Sequence, residues 1–181
     1  YVALLQKWNK TYSLTAVRDT DKMIAYHVLD SLAALPWVSG SRILDVGSGG
    51  GMPGIPFAIA RPDWQITLID SNHKKTSFLQ QAVIELGLSN VQVECDRVEQ
   101  YQAPQPFDWI VSRAFSDLAE FVRLTLAHLA DDGRYGALKG VYPFEEIAQL
   151  PNTVALESAP ALNVPFVEGE RHLVILKRKE M

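Results

Sequence analysis

The sequence predicts an α/β fold built on a mainly parallel sheet. Three observations predict it. Short apolar runs alternate with amphipathic stretches along most of the chain. A glycine-rich stretch, LDVGSGGGMPGIP (Leu44 to Pro56), joins the first apolar run to the amphipathic stretch that follows. The last two apolar runs have no long helical segment between them, which places an antiparallel hairpin at one edge.

The elements follow in order. Tyr1 to Trp8 carries Val2, Leu4, Leu5 and Trp8 at helical spacing. Lys10 to Asp19 is polar and is expected to be a loop. A helix is expected from Thr20 to Leu35, capped by Thr20, with Asp21 in its first turn and Pro36 as its stop. Arg42 to Val46 is the first strand, and Pro53 to Ile59 begins a helix. Gln65 to Asp70 is a strand, and Lys74 to Leu86 a helix closed by Gly87. Val91 to Cys95 is a strand with almost no helix after it. Phe107 to Ser112 is a strand and Asp117 to Leu129 a helix. Arg134 to Lys139 is a strand and Phe144 to Leu150 a short helix. Thr153 to Ala159 and His172 to Arg178 form the closing hairpin. One domain is expected over 1–181, with an N-terminal helical extension over 1–36 and an α/β core over 37–181.

Bulk properties narrow the function. A chain of 181 residues can close one full core. With 48% hydrophobic and 21% charged residues it has an ordinary globular composition. No stretch approaches the roughly 20 apolar residues of a membrane helix. Cys95 is the single cysteine, which excludes an internal disulfide and suits a reducing, cytoplasmic compartment. A net charge of −4 argues against sequence-independent coating of nucleic acid, which rests on many phosphate contacts. A local basic patch on an acidic body remains compatible with it. The four histidines are scattered and Cys95 has no partner, so no metal site is expected. Nothing in the sequence calls for an obligate dimer, and a monomer is expected.

In an open parallel sheet, ligands bind beyond the carboxyl ends of the strands, where Gly47 to Gly51 falls. A dinucleotide fingerprint G-x-G-x-x-G counted from Gly47 needs a third glycine at position 52, which is Met52. The glycines stand instead at 47, 49 and 51, with Asp45 two residues ahead. This D-x-G-x-G-x-G spacing resembles motif I of class I S-adenosylmethionine-dependent methyltransferases, whose sheet is Rossmann-like. Their backbone passes close to an amino-acid moiety and a sulfonium, where Cβ atoms would intrude. Asp70 closes the next strand and can accept both ribose hydroxyls of a nucleoside. The plainer alternatives are a tight turn for the glycines and a helix cap for Asp70.

The target leaves fewer marks. Cys95 ends a strand and does not follow a proline, as a cytosine-C5 nucleophile would. SRAF (Ser112 to Phe115) stands where amine methylation usually brings N/D-P-P-Y/F. A ring nitrogen, an oxygen or a protein side chain remains as acceptor. Arg113 ends an apolar strand, either as a fork to substrate or cofactor or in a buried ion pair with Asp45 or Asp108. Lys139 ends the next strand, as a phosphate contact or a solvated end. His27 and Asp30 share a helix face, functional or merely packed on the sheet. Arg171 and His172 open the last strand and either touch RNA or are solvated. Lys7, Lys10, Arg18, Lys177, Arg178 and Lys179 would form an RNA-facing patch only if the fold clusters them. Trp8 and Tyr12 could stack on a base, with core packing the plainer expectation.

WNKTYSLTAV (Trp8 to Val17), HVLDSL (His27 to Leu32), the glycine loop, RVE (Arg97 to Glu99), SRAF, ALKG (Ala137 to Gly140) and GERHLV (Gly169 to Val174) together resemble the glucose-inhibited division protein B family. The resemblance runs the length of the chain. It departs at Ser13, often asparagine in the family, and at Gly50, often proline. It implies S-adenosylmethionine as cofactor and N7 of a guanosine in 16S rRNA as target. The substrate would be folded RNA in the small subunit or an assembly intermediate. It implies Gly47 and Met52 in the cofactor loop, beside Gly49, Gly51 and Asp70 named above from the spacing, with Val98 and Glu99 along the adenosine, Val98 by its backbone. Arg113 would stand at the cofactor–substrate junction, with Asp30 and Lys139 as further catalytic candidates and His27, Arg171 and His172 toward RNA. It also implies a further helix ahead of Tyr1. A class I methyltransferase of a small molecule or protein is the alternative. A non-catalytic nucleotide-binding module and a nicotinamide dehydrogenase stand behind it, the latter disfavoured by Met52.

Overall fold

The computed structural model describes residues 1–179. Seven strands form one sheet: β1 (Arg42–Val46), β2 (Gln65–Asp70), β3 (Val91–Cys95), β4 (Phe107–Arg113), β5 (Leu129–Lys139), β6 (Val154–Ser158) and β7 (His172–Arg178). Their order is β3-β2-β1-β4-β5-β7-β6. The first five run parallel, and β7 pairs antiparallel with both β5 and β6. The expected mainly parallel sheet with an antiparallel edge is therefore present.

Successive strand residues face opposite sides, and both sides of the central strands are covered, so these are largely apolar. The edge strands β3 and β6 are only partly buried and carry Gln92, Glu94 and Glu157. Ile43, Trp109, Val111, Leu173 and Ile175 pack with Leu5, Met23, Phe57 and Phe78. These last come from α1 (Val2–Tyr12), α2 (Thr20–Met23), α4 (Gly54–Ala60) and α5 (His73–Leu86). Leu44, Val46, Ile110, Val174 and Leu176 pack on the other side with Phe121 and Val122 of α6 (Leu118–Thr125). Asp117 caps α6 by accepting Glu120 N–H. Phe121 is fully buried, so Phe121→Ala would cost about 3–5 kcal/mol.

Three elements differ from expectation. The Thr20–Leu35 helix is not uniform: α2 passes into a π-helical turn (Ile24–Leu29), then α3 (Asp30–Leu32). Pro36 lies inside a 3-10 turn (Leu35–Trp37), where its missing N–H is tolerated. The Asp117–Leu129 helix ends early, continues as a 3-10 turn (Leu126–His128), and gives Leu129 to β5. That strand starts five residues before Arg134 because Ala130 to Gly133 bulge out of register between Phe107↔Leu129 and Trp109↔Arg134. Ser13 closes α1 with φ 50°, a left-handed conformation that asparagine adopts more readily than serine.

Candidate active site

Two cavities open side by side at the carboxyl ends of the parallel strands, flanking the reversal of strand order between β1 and β4. The first, about 320 Å³, is lined by Gly47, Asp70, Asp96, Val98, Glu99 and Phe115 among others. The second, about 420 Å³, is lined by Thr15, His27, Asp30, Arg113, Lys139 and His172 among others. Both lie in the size range of small-molecule sites. The SRAF segment stands between them: Phe115 lines the first, Arg113 and Ala114 the second. Ala114 between them has φ 62°, a conformation costly for a residue with a Cβ and concentrated at functional sites. A third cavity, about 490 Å³, lies at the amino ends of the strands by Trp37, Gly40 and Asp108, where ligands of open α/β sheets do not bind.

The glycine loop is held from two sides. Gly47 and Ser48 donate to Ile69 O at 2.9 and 3.1 Å. Gly49, at φ 55°, donates to Asp70 Oδ2 at 2.9 Å. The second Asp70 oxygen accepts Asn72 N–H at 2.8 Å. Asp70 is not the cap of α5: Asn72 is, accepting from Lys74 and Lys75 N–H. A carboxylate has about four acceptor positions, so Asp70 keeps capacity for two hydroxyls. Gly54, missed as a site residue in the sequence, opens α4 where a Cβ would collide with Leu68 and Asp45 Oδ2, and donates to that oxygen at 2.9 Å. Met52 belongs to the loop by its backbone alone; its side chain is buried in the core, and a Cβ on Gly50 would touch it.

Asp45 has no exposure, and its Oδ1 has no hydrogen-bond partner. Burial pushes its carboxyl up to about 7, against the opposing pull of the nearby Ser48 hydroxyl, Gly54 N–H and Arg113. Tyr1 reaches the same loop and donates to Gly50 O at 2.6 Å. Burial raises that hydroxyl above the ordinary tyrosine range.

The second cavity has a charged floor. Asp30 is buried, and its two oxygens accept from Arg113 Nη1 at 3.3 Å and Arg171 Nε at 3.0 Å. Arg113 therefore pairs with neither Asp45 nor Asp108; Asp108 accepts Ser41 and Arg42 N–H at the far end of β4. Arg113 also donates to Tyr26 O at 2.8 Å. The π-helical turn makes that possible. Asp30 N–H reaches back five residues to Ala25 O, not four to Tyr26 O as in an α-helix. His27 is buried between Arg113 Nη2 at 3.2 Å and Thr15 Oγ1 at 2.7 Å. Burial first, then the Arg113 charge, lowers its pKa below the usual histidine value.

Lys139 is neither a solvated end nor a free cation. Its ammonium donates to Glu146 Oε2 at 2.8 Å, Glu146 Oε1 at 3.1 Å and Phe115 O at 3.0 Å. His172 donates through Nδ1 to Gly140 O and stands edge-on to Tyr142. The structure thus brings His27, Asp30, Arg113, Lys139, Arg171 and His172 to one cavity, and Gly47, Asp70, Val98 and Glu99 to the other. Lys177 and Arg178 lie at the opposite end of β7 and join neither; Arg178 is tied to Leu126 O and Leu129 O. Trp8 packs edge-on against Phe78. Thr15, Tyr26, Asp96, Phe115 and Glu146 were missed as individual site residues. Thr15 and Phe115 lie in motifs that carry the family resemblance; the others had no sequence signal.

The strand order, the glycine turn after β1 and the acid closing β2 define the class I, S-adenosylmethionine-dependent methyltransferases. The chain belongs to the GidB family, described as rRNA small subunit methyltransferase G, whose model matches residues 1–174. The Ribosomal RNA small subunit methyltransferase G of Laribacter hongkongensis is 67% identical over 176 residues, spanning 97% of this chain and 85% of that protein. The protein of that name in Chromobacterium violaceum is 63% identical over 96% of this chain and 84% of its own length. Among solved structures, the glycopeptide N-methyltransferase MtfA complexed with S-adenosylhomocysteine has a TM-score of 0.70 at 10% identity, covering 84% of this chain and 87% of that one. TrmN from Thermus thermophilus has a TM-score of 0.67 at 22% identity, over 82% and 48%. At these identities the structural likeness concerns the fold.

Proposed function

We propose that the protein transfers a methyl group from S-adenosylmethionine to N7 of a guanosine in 16S rRNA of the small ribosomal subunit. The observation that carries this reading is the pair of cavities meeting across Arg113–Phe115, one acidic and opening beside Gly47 at the start of the glycine loop, the other floored by arginine. The first fits the cofactor. Gly47 and Gly49, where a Cβ would meet open space or only Gly47 O, leave its amino-acid part room against the backbone, whereas Gly51 lacks a Cβ because core residues Ile55 and Leu79 fill that place. Asp70 has acceptors for the ribose, and Val98 and Glu99 flank the adenosine. When bound, S-adenosylmethionine supplies an electrophilic methyl carbon.

The second cavity suits an acceptor that needs positioning and no deprotonation. Guanine N7 has an available lone pair. Both Asp30 oxygens are committed to arginines, and both His27 nitrogens are engaged. Neither floor group is poised to take a proton, and none has to be taken for N7 to react. What the site provides is orientation, a contribution that can lower a barrier by several kcal/mol. Asp30 acts as a positioning carboxylate holding Arg113 and Arg171, in place of the direct catalytic role expected for it. Arg113, Arg171 and His172 face the RNA, and Lys139 braces the SRAF segment from behind. Residues 1–36 form an extension that completes the substrate cavity through Thr15, His27 and Asp30. The substrate is folded RNA in a subunit or an assembly intermediate, recognised partly by shape, which locates the enzyme in the cytoplasm.

The test is transfer of labelled methyl from S-adenosylmethionine to small subunits lacking the modification, with the labelled nucleoside mapped. Label on guanine N7 is expected. Label on another atom, on protein, or none despite cofactor binding would refute the proposal.

A further inference from the structure

One cavity group has no role so far, the hydroxyl of Thr15. Thr15 Oγ1 accepts Val17 N–H at 3.1 Å and is hydrogen-bonded to His27 Nε2 at 2.7 Å. Arg113 sets the direction of the second bond. A guanidinium can only donate, so its contact at 3.2 Å requires His27 Nδ1 as acceptor. The neutral imidazole then carries its proton on Nε2 and donates it to Thr15. Burial and the Arg113 charge both favour that neutral form. Thr15 Oγ1 therefore receives two hydrogen bonds, which occupy both of its lone pairs. Its own proton is left over, and Thr15 lines the same cavity as Arg113 and Lys139. The backbone at Thr15 is fixed as well: its N–H donates to Oδ1 of buried Asn9 at 2.8 Å.

We infer that Thr15 is a specificity-determining residue, an obligate donor whose hydroxyl binds an acceptor oxygen of the substrate base, O6 of guanine. This rests on the function proposed above. O6 lies beside N7 on the same edge of guanine, and both are acceptors. Adenine presents an amino donor at that place, which would face a group already committed to donating. A site built to bond a substrate group discriminates strongly against the analogue lacking it, because its own polar atom is left unpaired. The relay Arg113–His27–Thr15 thus turns a permanent cation into a neutral donor of fixed direction.

Thr15→Val keeps the β-branched shape and deletes the hydroxyl; Thr15→Ser keeps the hydroxyl and deletes the methyl. The readouts are kcat/KM on unmodified small subunits, Kd for S-adenosylhomocysteine, and Tm. The valine variant is expected to lose roughly tenfold in kcat/KM with Kd unchanged, and the serine variant to stay within about threefold of wild type. Thr15→Ala provides the same deletion if the valine variant melts early. Valine and alanine variants as active as wild type would overturn the assignment. So would a serine variant as impaired as valine, or a loss confined to cofactor binding. Wild-type protein that labels no guanine N7 would refute the function itself and the donor role with it. Wild type that labels N7 beside unimpaired valine and alanine variants would overturn the donor role alone.

Discussion

Two aspartates stand at the carboxyl ends of neighbouring strands in different surroundings, Asp70 as the last residue of β2 and Asp45 as the last but one of β1. Asp70 accepts Gly49 N–H and Asn72 N–H and, on the function proposed above, a ribose hydroxyl. Asp70→Ala removes a charge-assisted hydrogen bond of about 1.5–3 kcal/mol, so Kd for S-adenosylhomocysteine should rise roughly ten- to hundredfold by calorimetry. An unchanged Kd would reduce Asp70 to a staple between the loop and β2. Asp45, one strand over, is buried with an unpartnered oxygen, and its carboxyl is raised to about 7. The folded state therefore holds a proton that the unfolded chain, with its aspartate near 3.8, gives up. This contribution to stability is present below about pH 4 and is lost as pH rises through about 7. Buried His27 runs the other way: its lowered pKa costs stability as pH falls below about 6.5, the ordinary histidine value. Asp45→Asn isolates the first effect. Urea midpoints of wild type minus variant should be larger at pH 5 than at pH 8, and a pH-independent difference would show that Asp45 does not titrate with folding.

At the scale of elements, α7 (Phe144–Ala148) works as a brace. Glu146 accepts both the Lys139 ammonium at the end of β5 and Leu118 N–H at the start of α6. Lys139 in turn holds Phe115 O, so four segments meet at one ion pair around the SRAF turn. The pair is largely buried, with side-chain exposures of 12% and 25%. Breaking a fully buried pair costs 3–5 kcal/mol, and partial exposure reduces this to about 1–3 kcal/mol. Lys139→Met should lower Tm by about 3–8 °C, and adding Glu146→Leu should recover part of that loss. An unchanged Tm with impaired transfer would return Lys139 to the RNA-binding set. The brace was not legible in the sequence, which showed a lysine at a strand end and two glutamates on a short helix. The strands themselves were legible: Arg42–Val46, Gln65–Asp70, Val91–Cys95 and His172–Arg178 are where the apolar runs place them. Local pattern determines such runs, because burial demands apolar side chains on both faces of the central strands and on alternate positions of edge strand β3. The π-helical turn and the early start of β5 depend on the bonds freed for Arg113 and on register with β4. Those relations join residues far apart in the chain, which no window of local sequence contains.

For the molecule as a whole, charge decides how substrate can be held. The chain carries a net charge of −4, and the cations of the substrate cavity are largely spoken for. Arg113 and Arg171 share Asp30, and Lys139 is paired with Glu146, which leaves an excess of about one positive charge facing the RNA. The glycine loop, Asp45 and Asp70 pointed to the cofactor from sequence alone, whereas the pairing of the cavity cations joins distant segments: Asp30 from the first 36 residues holds Arg113 and Arg171, and Glu146 of α7 holds Lys139. A cavity with so little free positive charge cannot by itself obtain affinity from phosphates in general. On the function proposed above, the remaining affinity comes from the shape of an assembled surface. Binding to isolated 16S rRNA should accordingly be weak at physiological salt. Its log K should fall with log salt at a slope of only about −1 to −3, each phosphate contact contributing roughly −0.7 to −0.9. Binding to unmodified small subunits should be at least tenfold tighter at about 0.15 M salt. Filter binding across a salt series measures both quantities. Equal affinity for naked RNA and subunits, or a slope steeper than about −5, would mean that a basic surface outside the cavity governs recognition.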